Sequence, residues 1–360
     1  MREEIVYKKF LKDLRAVFSV TYIFILVLAA VFAYQIAPDR TSNANQMHLS
    51  IHSKPPGFEV EMLLLYPENN HSGEKKGFFL GEVNNRQELP IENYTIRDNG
   101  VEIKPYGSPA GYFEFIDVSK LRSPLSETEF KKEHIEKKFF LLGTDKYGRD
   151  LLSRLIIGSR ISLSIGFIAV FISLLIGIIL GALAGFFGGY LDKGIVWLIN
   201  VFWSVPTLLM VIAITLALGR GFWQVFIAVG LTMWVEVARV VRGQVLTLKE
   251  KTYIKAARTL GYGKIRIICH HILPLLIPPL IVISAANFAS AILIESGLSF
   301  LGIGAQPPVP SWGGMVKDHF RYLLVGKPYL TLIPGLAIMS LVLAFMTLGN
   351  SLRDILDVKH

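Results

Sequence analysis

Reactive side chains are scarce in the apolar stretches of this chain. Gly297-Leu298-Ser299-Phe300 sets a serine where a nucleophile would sit. Such a nucleophile needs a base from another segment. No apolar stretch holds a histidine except the one carrying His270 and His271. The zinc pattern His-Glu-x-x-His is absent, and a single cysteine, Cys269, excludes an internal disulfide and a cysteine-based metal site. A phosphate-cradling Gly-x-x-x-x-Gly-Lys-Ser/Thr loop is also missing: Gly263-Lys264 is followed by Ile265, with no glycine at the required spacing. Ion-coupled transport would need carboxylates or histidines near a membrane midplane. The apolar stretches offer Glu236 and Glu295, both near ends. These residues predict no catalytic centre and no metal site.

Hydrophobic residues make up 52% of the 360 and charged residues 18%, with mean hydropathy +0.47. A soluble domain carries about 25% charged residues, so the chain is too apolar for a soluble globule. A spanning helix needs about 20 apolar residues. Six stretches qualify, at 16–36, 161–187, 194–217, 222–238, 275–299 and 329–350. Lys and Arg in short loops set orientation. Arg2, Lys8, Lys9, Lys12 and Arg15 precede the first stretch; Arg239, Arg242, Lys249, Lys251, Lys255, Arg258, Lys264 and Arg266 follow the fourth. Both segments are expected on the cytoplasmic side, with both termini. A signal peptide cleaved near Val31-Phe32-Ala33 is the rival for the first stretch, but its apolar run is long for that.

The expected organisation is therefore a cytoplasmic N-terminus and first span (1–36), an external segment (37–154), a core with five spans (155–351) containing a cytoplasmic loop at 239–274, and a cytoplasmic C-terminus (352–360). The external segment reads as a small α+β unit. Phe58–Met62 alternates like a half-buried strand. Asn99-Gly100 marks a hairpin between Tyr94–Ile96 and Val101–Ile103. Ser126-Glu127-Thr128-Glu129 is a capping box, predicting a charged helix to about Lys138. Asn70-His71-Ser72 and Asn93-Tyr94-Thr95 have the glycosylation pattern, which matters only in a secretory-pathway protein.

Gly177, Gly181 and Gly185, four apart, form one glycine face that lets two backbones approach in lipid. Pro206, Pro278, Pro279 and Pro334 each predict a kink. Glu295 is expected near the outer end of the fifth span and, with Ser299 and Phe300, is a candidate for lining a path. In the basic loop, Thr252 is positioned to cap a short helix and Gly261 to end it left-handed. Ala256 and Ala257 offer a smooth approach for another protein. A second helix is expected to carry Ile265, Ile268 and Ile272 on one face and to stop before Pro274. A basic loop held at anionic headgroups would account for the charge, but not for two short helices with a glycine break.

Ala256-Ala257, Gly261, then His271-Ile272-Leu273-Pro274 resembles the EAA loop of ABC importer permeases. Gly143-Thr144-Asp145-Lys146-Tyr147-Gly148-Arg149-Asp150 with Leu152-Ser153-Arg154, and Leu298-Ser299-Phe300-Leu301-Gly302 with Pro307-Pro308-Val309-Pro310-Ser311-Trp312-Gly313, resemble segments of the oligopeptide/dipeptide permease C family. The resemblance runs from about Leu142 to Asp354. It implies an all-α membrane protein with six transmembrane helices of the type I importer fold, here with the α+β insertion between helices 1 and 2. It implies a bacterial inner membrane, a second related permease subunit, two ATPases holding ATP and Mg, and an external substrate-binding protein. Thr252, Tyr253, Ile254, Lys255, Ala256, Ala257, Arg258, Gly261, His271 and Pro274 would couple to the ATPase. Di- or oligopeptides are the implied cargo, with nickel chelates, glutathione or a peptide antibiotic as alternatives. Two features depart from the pattern: Lys255 stands where the family has Glu, and the external segment is longer. From another class, an intramembrane serine protease built on Ser299 is the rival reading.

Overall fold

The computed structural model describes residues 8–65, 81–82, 86–97, 100–117, 127–219 and 221–356. Along the chain run α1 (Leu14–Val31), β1 (Phe58–Leu65), β2 (Gln87–Arg97), β3 (Gly100–Pro105), β4 (Glu114–Asp117), α2 (Glu127–His134), β5 (Ile135–Phe140), α3 (Leu151–Phe187), α4 (Gly189–Trp203), α5 (Thr207–Leu218), α6 (Phe222–Leu248), α7 (Thr252–Thr259), α8 (Lys264–Phe300), α9 (Trp312–His319) and α10 (Tyr329–Leu356). They form two compact units. A helical unit takes Met1–Val27, Ile161–Gln306 and Leu336–His360; a strand-bearing unit takes Leu28–Arg160 and Pro307–Gly335.

The strand-bearing unit is an antiparallel sheet in the order β4-β3-β2-β1-β5. Leu63 and Leu65 of β1 join Ile91, Val101, Ile103 and Ile116 under Phe130 of α2 on one face. Val60 and Met62 join Ile51 and Phe140 on the other. Because both faces are covered, β1 runs apolar past the alternating Phe58–Met62 to Leu65. The β2–β3 hairpin forms with Arg97 opposite Gly100. A Cβ on Gly100 would lie 2.2 Å from the Ile116 carbonyl oxygen, so only glycine fits. Asn99, Ser126 and the Asn70 sequon lie outside the described residues. α2 ends at His134, short of Lys138. Ile135–Phe140 pairs with Phe58–Leu63 instead, and the ladder to β1 outweighs a charged helix with little apolar surface to bury.

Among the described residues, five helices are long and apolar enough to cross a membrane: α1, α3, α6, α8 and α10. The third expected span is not one helix. α4 and α5 meet at 93° across Ser204-Val205-Pro206, so Pro206 breaks the span that 194–217 was expected to form. If the bent pair counts as one, the spans number six. Other ends also shift: α3 begins at Leu151 rather than 161, and α6 continues to Leu248 rather than 238. The helix after the basic loop does not stop before Pro274. A π-turn at Ile268–Ile272 carries it into Leu273–Phe300 with Pro274 in the first turn, where a missing N–H costs little. Pro278, Pro279 and Pro334 lie inside their helices.

The glycine face meets α6. A Cβ on Gly177 would lie 2.8 Å from the Trp234 carbonyl oxygen, one on Gly181 2.5 Å from that of Ala238, and one on Gly185 2.9 Å from that of Arg242. The two helices run parallel at backbone contact, with dispersion rather than the hydrophobic effect holding them in lipid. Midway along its length α1 is tied to α10 by a 2.6 Å hydrogen bond between the Tyr22 and Ser340 hydroxyls.

Candidate functional site

The α6–α8 connection is built from the inside out. Lys251 is the N-cap residue of α7 and no side chain caps it, so Thr252 is the first helical residue rather than the cap. Ile254 and Ala257, three apart, face inward and are buried. They pack in one cluster with Ile267, Ile268, Ile272 and Leu276 of α8, Ala182 and Phe186 of α3, and Val237, Val241 and Val245 of α6. Ala257 is therefore core, and Ala256 alone of the pair is exposed. Ile265 is also exposed; Ile267 takes the inward place expected for it.

Gly261 closes α7 with φ +80°. The Gly261 N–H donates to the Arg258 carbonyl at 3.0 Å and the Tyr262 N–H to the Ala257 carbonyl at 3.1 Å, the paired bonds of a left-handed helix stop. Outward the loop shows Tyr253, Lys255, Ala256, Arg258, Leu260 and Ile265. Three of its cations lie on aromatic rings: Arg258 is 5.0 Å from the Phe186 centroid, Lys264 5.4 Å from Phe187 and Arg266 4.7 Å from Tyr262. The His271 ring is 5.8 Å from that of Tyr262, and Pro274 begins the next helical segment. The coupling residues expected from sequence thus share one folded loop, with a buried and an exposed side.

Sequence reasoning missed three fixings of this end. Arg242 grips Asp192 of α4 with Nε and Nη2 at 2.5 and 2.7 Å. Arg239 lies 3.1 Å from the Trp203 ring centroid. The Lys249 ammonium donates to the Gly185 carbonyl at 2.9 Å, linking the loop to the glycine face. In sequence these cations count only as charge; Asp192, the one acid between Asp150 and Glu236, is the signal for a partner. Lys255 also has a partner within the loop, Glu250 at 3.1 Å. That hydrogen bond and the lysine charge hold the Glu250 carboxyl below the usual carboxylate range.

Glu295 and Ser299 lie at the opposite end of α8, both buried, and the Ser299 hydroxyl donates to Glu295 Oε1 at 2.6 Å. Phe300 is exposed. Leu298-Ser299-Phe300-Leu301-Gly302 is a helix stop of the same kind as at Gly261. The Gly302 N–H bonds the Ser299 carbonyl and the Ile303 N–H that of Leu298, with Gly302 at φ +82°. His271 is about 40 Å of helix from Ser299 at 1.5 Å per residue, so it cannot serve as that serine's base.

In the strand-bearing unit the Gly143–Asp150 motif is a closed turn. Asp145 accepts from the backbone of Tyr147 and Arg149 and from the Arg149 guanidinium, at 2.8, 3.0 and 2.7 Å. Asp150 caps α3 by accepting from the Ser153 backbone N–H at 2.8 Å. Pro310-Ser311-Trp312 packs on the same region: Ser311 caps α9, and the Trp312 indole donates to the Leu155 carbonyl at 2.8 Å.

The sequence profile of the family described as binding-protein-dependent transport system inner membrane component matches residues 177–359. The dipeptide transport system permease protein DppC of Alkalihalophilus pseudofirmus is 37% identical over 255 residues, 71% of this chain and 80% of that protein. The glutathione transport system permease protein GsiD of Shigella flexneri serotype 5b is 44% identical over 217 residues, 60% of this chain and 71% of that protein. Among solved structures, the inward-facing MetNI methionine ABC transporter aligns with a TM-score of 0.48 at 18% identity, over 58% of this chain and 98% of that one.

Proposed function

The chain belongs to the family of binding-protein-dependent transport system inner membrane components, and from that premise we propose that it is the non-catalytic permease subunit of an ATP-driven importer of di- or oligopeptides. The observation that carries this reading is the family match over 177–359, which takes in the glycine face, the α6–α8 loop and the last helix. The peptide class follows the names of the relatives, one a dipeptide and one a glutathione permease.

In this reading α1 and the α6–α8 loop start and lie on the cytoplasmic side, as their Lys and Arg content directs, and 37–154 lies outside. A second permease subunit completes the translocation path. Two ATPase subunits supply ATP and Mg chemistry, and an external binding protein delivers cargo. The exposed side of α7, with Tyr253, Lys255, Ala256 and Arg258, meets the ATPase. Its buried side transmits the contact to α3, α6 and α8 through Ile254 and Ala257. Gly177, Gly181 and Gly185 make α3 and α6 move as one body, because there is no gap for them to shear across.

The test is uptake. The chain, reconstituted with the permease, ATPases and binding protein encoded beside it, should import a labelled dipeptide only with ATP and binding protein present. Import without ATP would overturn the reading. Import of glutathione or a nickel chelate, with peptides excluded, would replace the cargo and keep the machine.

A further inference from the structure

α6 carries a carboxylate at its middle. The sequence put Glu236 near the end of a span, but α6 runs from Phe222 to Leu248. At 1.5 Å per residue, Glu236 is about 21 Å of helix from the first and about 18 Å from the second. Its side chain is exposed and, among the described residues, makes no hydrogen bond or ion pair. Arg239, one turn on, lies instead over the Trp203 ring, at the elbow between α4 and α5. A bare carboxylate at that depth is costly against lipid. The elbow is what opens this face. In the first half of α6, Val225 and Val229 are buried together with Val211 of α5. Glu236 follows Val229 by two turns, on the same face. At Ser204-Val205-Pro206 the chain turns through 93°. Beyond that turn α4 packs on Trp234, Val235 and Ala238 through Ile195 and Ile199. The second half of the face is left uncovered, with Glu236, Gly243, Gln244 and Thr247 exposed and Val240 half-buried.

A face turned to lipid has a different composition. Phe167, Phe171, Leu175 and Ile179, four apart on α3, are all exposed and all apolar. The elbow backbone is exposed as well, and no side chain caps α5. Irregular backbone at membrane depth persists only against protein or water. Across the bundle, Asn287 of α8 is buried, and neither of its amide atoms has a hydrogen-bond partner among the described residues. Asn287 stands between Ile283 of one apolar cluster and Ala291 of the other, as Glu236 stands between Val237 and Met233. The polar level thus recurs on a second helix. A partner helix in lipid would be met by packing of small and apolar side chains. An uncompensated carboxylate, followed by Gln244 and Thr247 toward the helix end, suits water.

We propose that the open half of α6 is a wall of a water-filled passage in which Glu236 selects by charge, favouring cargo that carries an ammonium group over anionic cargo. This role rests on the permease reading and adds to it the residue that reads charge.

The test uses the assembled transporter in nanodiscs, in a Cys269→Ala background, with a cationic and an anionic methanethiosulfonate as probes. Val240→Cys and Gly243→Cys should both react from water. A Cβ on Gly243 would meet nothing within 4 Å, so that change fits without rearrangement. Phe171→Cys, on the apolar face of α3, should react with neither reagent. Val240 is one turn from Glu236, so its cysteine should favour the cationic reagent roughly tenfold, relative to the rates of the two reagents with free cysteine. Glu236→Asp should keep that preference, Glu236→Gln should remove it and Glu236→Lys should reverse it. If neither thiol on α6 reacts, lipid or a second subunit covers the face and the passage is overturned. A preference unmoved by Glu236→Gln and Glu236→Lys overturns the selection. These rates need no cargo, so they decide the role of Glu236 whether or not the uptake assay finds peptide import.

Discussion

Ala256 and Ala257 are adjacent and chemically identical, yet a single step of about 100° around the helix gives them opposite tasks. Ala257 is buried against the helical unit and Ala256 is open. Ala257→Trp should therefore unfold the loop's inner packing, since overpacking a core costs about 1–3 kcal/mol or more. Ala256→Trp should leave the melting temperature in place and abolish co-purification of the ATPase. Retention of the ATPase by an Ala256→Trp subunit would remove α7 from the contact. The lysine at position 255 already has its acid in Glu250. Exposed pairs contribute about 0–1 kcal/mol, so Lys255→Ala should leave stability unchanged while Lys255→Asp, facing Glu250, should weaken ATPase binding; Glu250→Lys should restore it in the double variant. In the strand-bearing unit, burial raises the Glu88 pKa, but hydrogen bonds and charge from His48 and Lys138 outweigh it and hold the carboxyl at about 2. A depressed carboxyl stabilises the fold above its unfolded value, and that stability is lost as pH falls toward the folded one. The contribution, on the order of 3 kcal/mol, should vanish between about pH 4.5 and 2, and Glu88→Gln should flatten that part of a melting-temperature profile.

At the scale of elements, spacing alone showed what was periodic and hid what tertiary contact decided. Gly177, Gly181 and Gly185 announced a contact face in the sequence; that the face belongs to α6 is visible only where Cβ positions fall on α6 carbonyls. Gly181→Ala already adds a Cβ at 2.5 Å from the Ala238 oxygen. It should lower the yield of folded subunit in size-exclusion profiles, and Gly181→Leu should abolish it. The stop at Gly261 was legible because a left-handed residue ending a short helix has few substitutes. The role of Ala257 was not, because which side of an eight-residue helix turns inward depends on what it packs against. The bend at Pro206 was legible as a proline and not as a right angle. The end of α2 at His134 was hidden because its successor residues suit helix and strand alike, and only the edge of β1 chooses between them. The Gly143–Asp150 motif carried its meaning in side-chain bonds to its own backbone, which no periodicity reveals.

For the whole molecule, orientation is the premise on which the transport reading stands. In a Cys269→Ala background, Tyr112→Cys in the strand-bearing unit should react with an impermeant thiol reagent from outside, and Glu250→Cys only after the membrane is opened. Labelling of position 250 from outside would reverse the arrangement and with it the proposed ATPase contact. The π-turn at Ile268–Ile272 has a consequence for how the loop relates to the long helix that follows. A π-turn holds one residue more than an α-helix needs for the same path. The chain between Lys264 and Leu273 therefore contains a spare residue, and the bearing of everything before it depends on that spare being taken up in the wide turn. Deleting one residue from 268–272 should let the helix wind without interruption and leave the loop facing the same way, whereas inserting one alanine after Leu273, in the regular helix, should swing the loop by about 100° about the axis of Leu273–Phe300. After the insertion Ile267 would leave the core, and the side of α7 now open to a partner would face elsewhere, so one added residue in an apolar helix should disconnect the ATPase as completely as removing the loop, while the deletion should leave it attached.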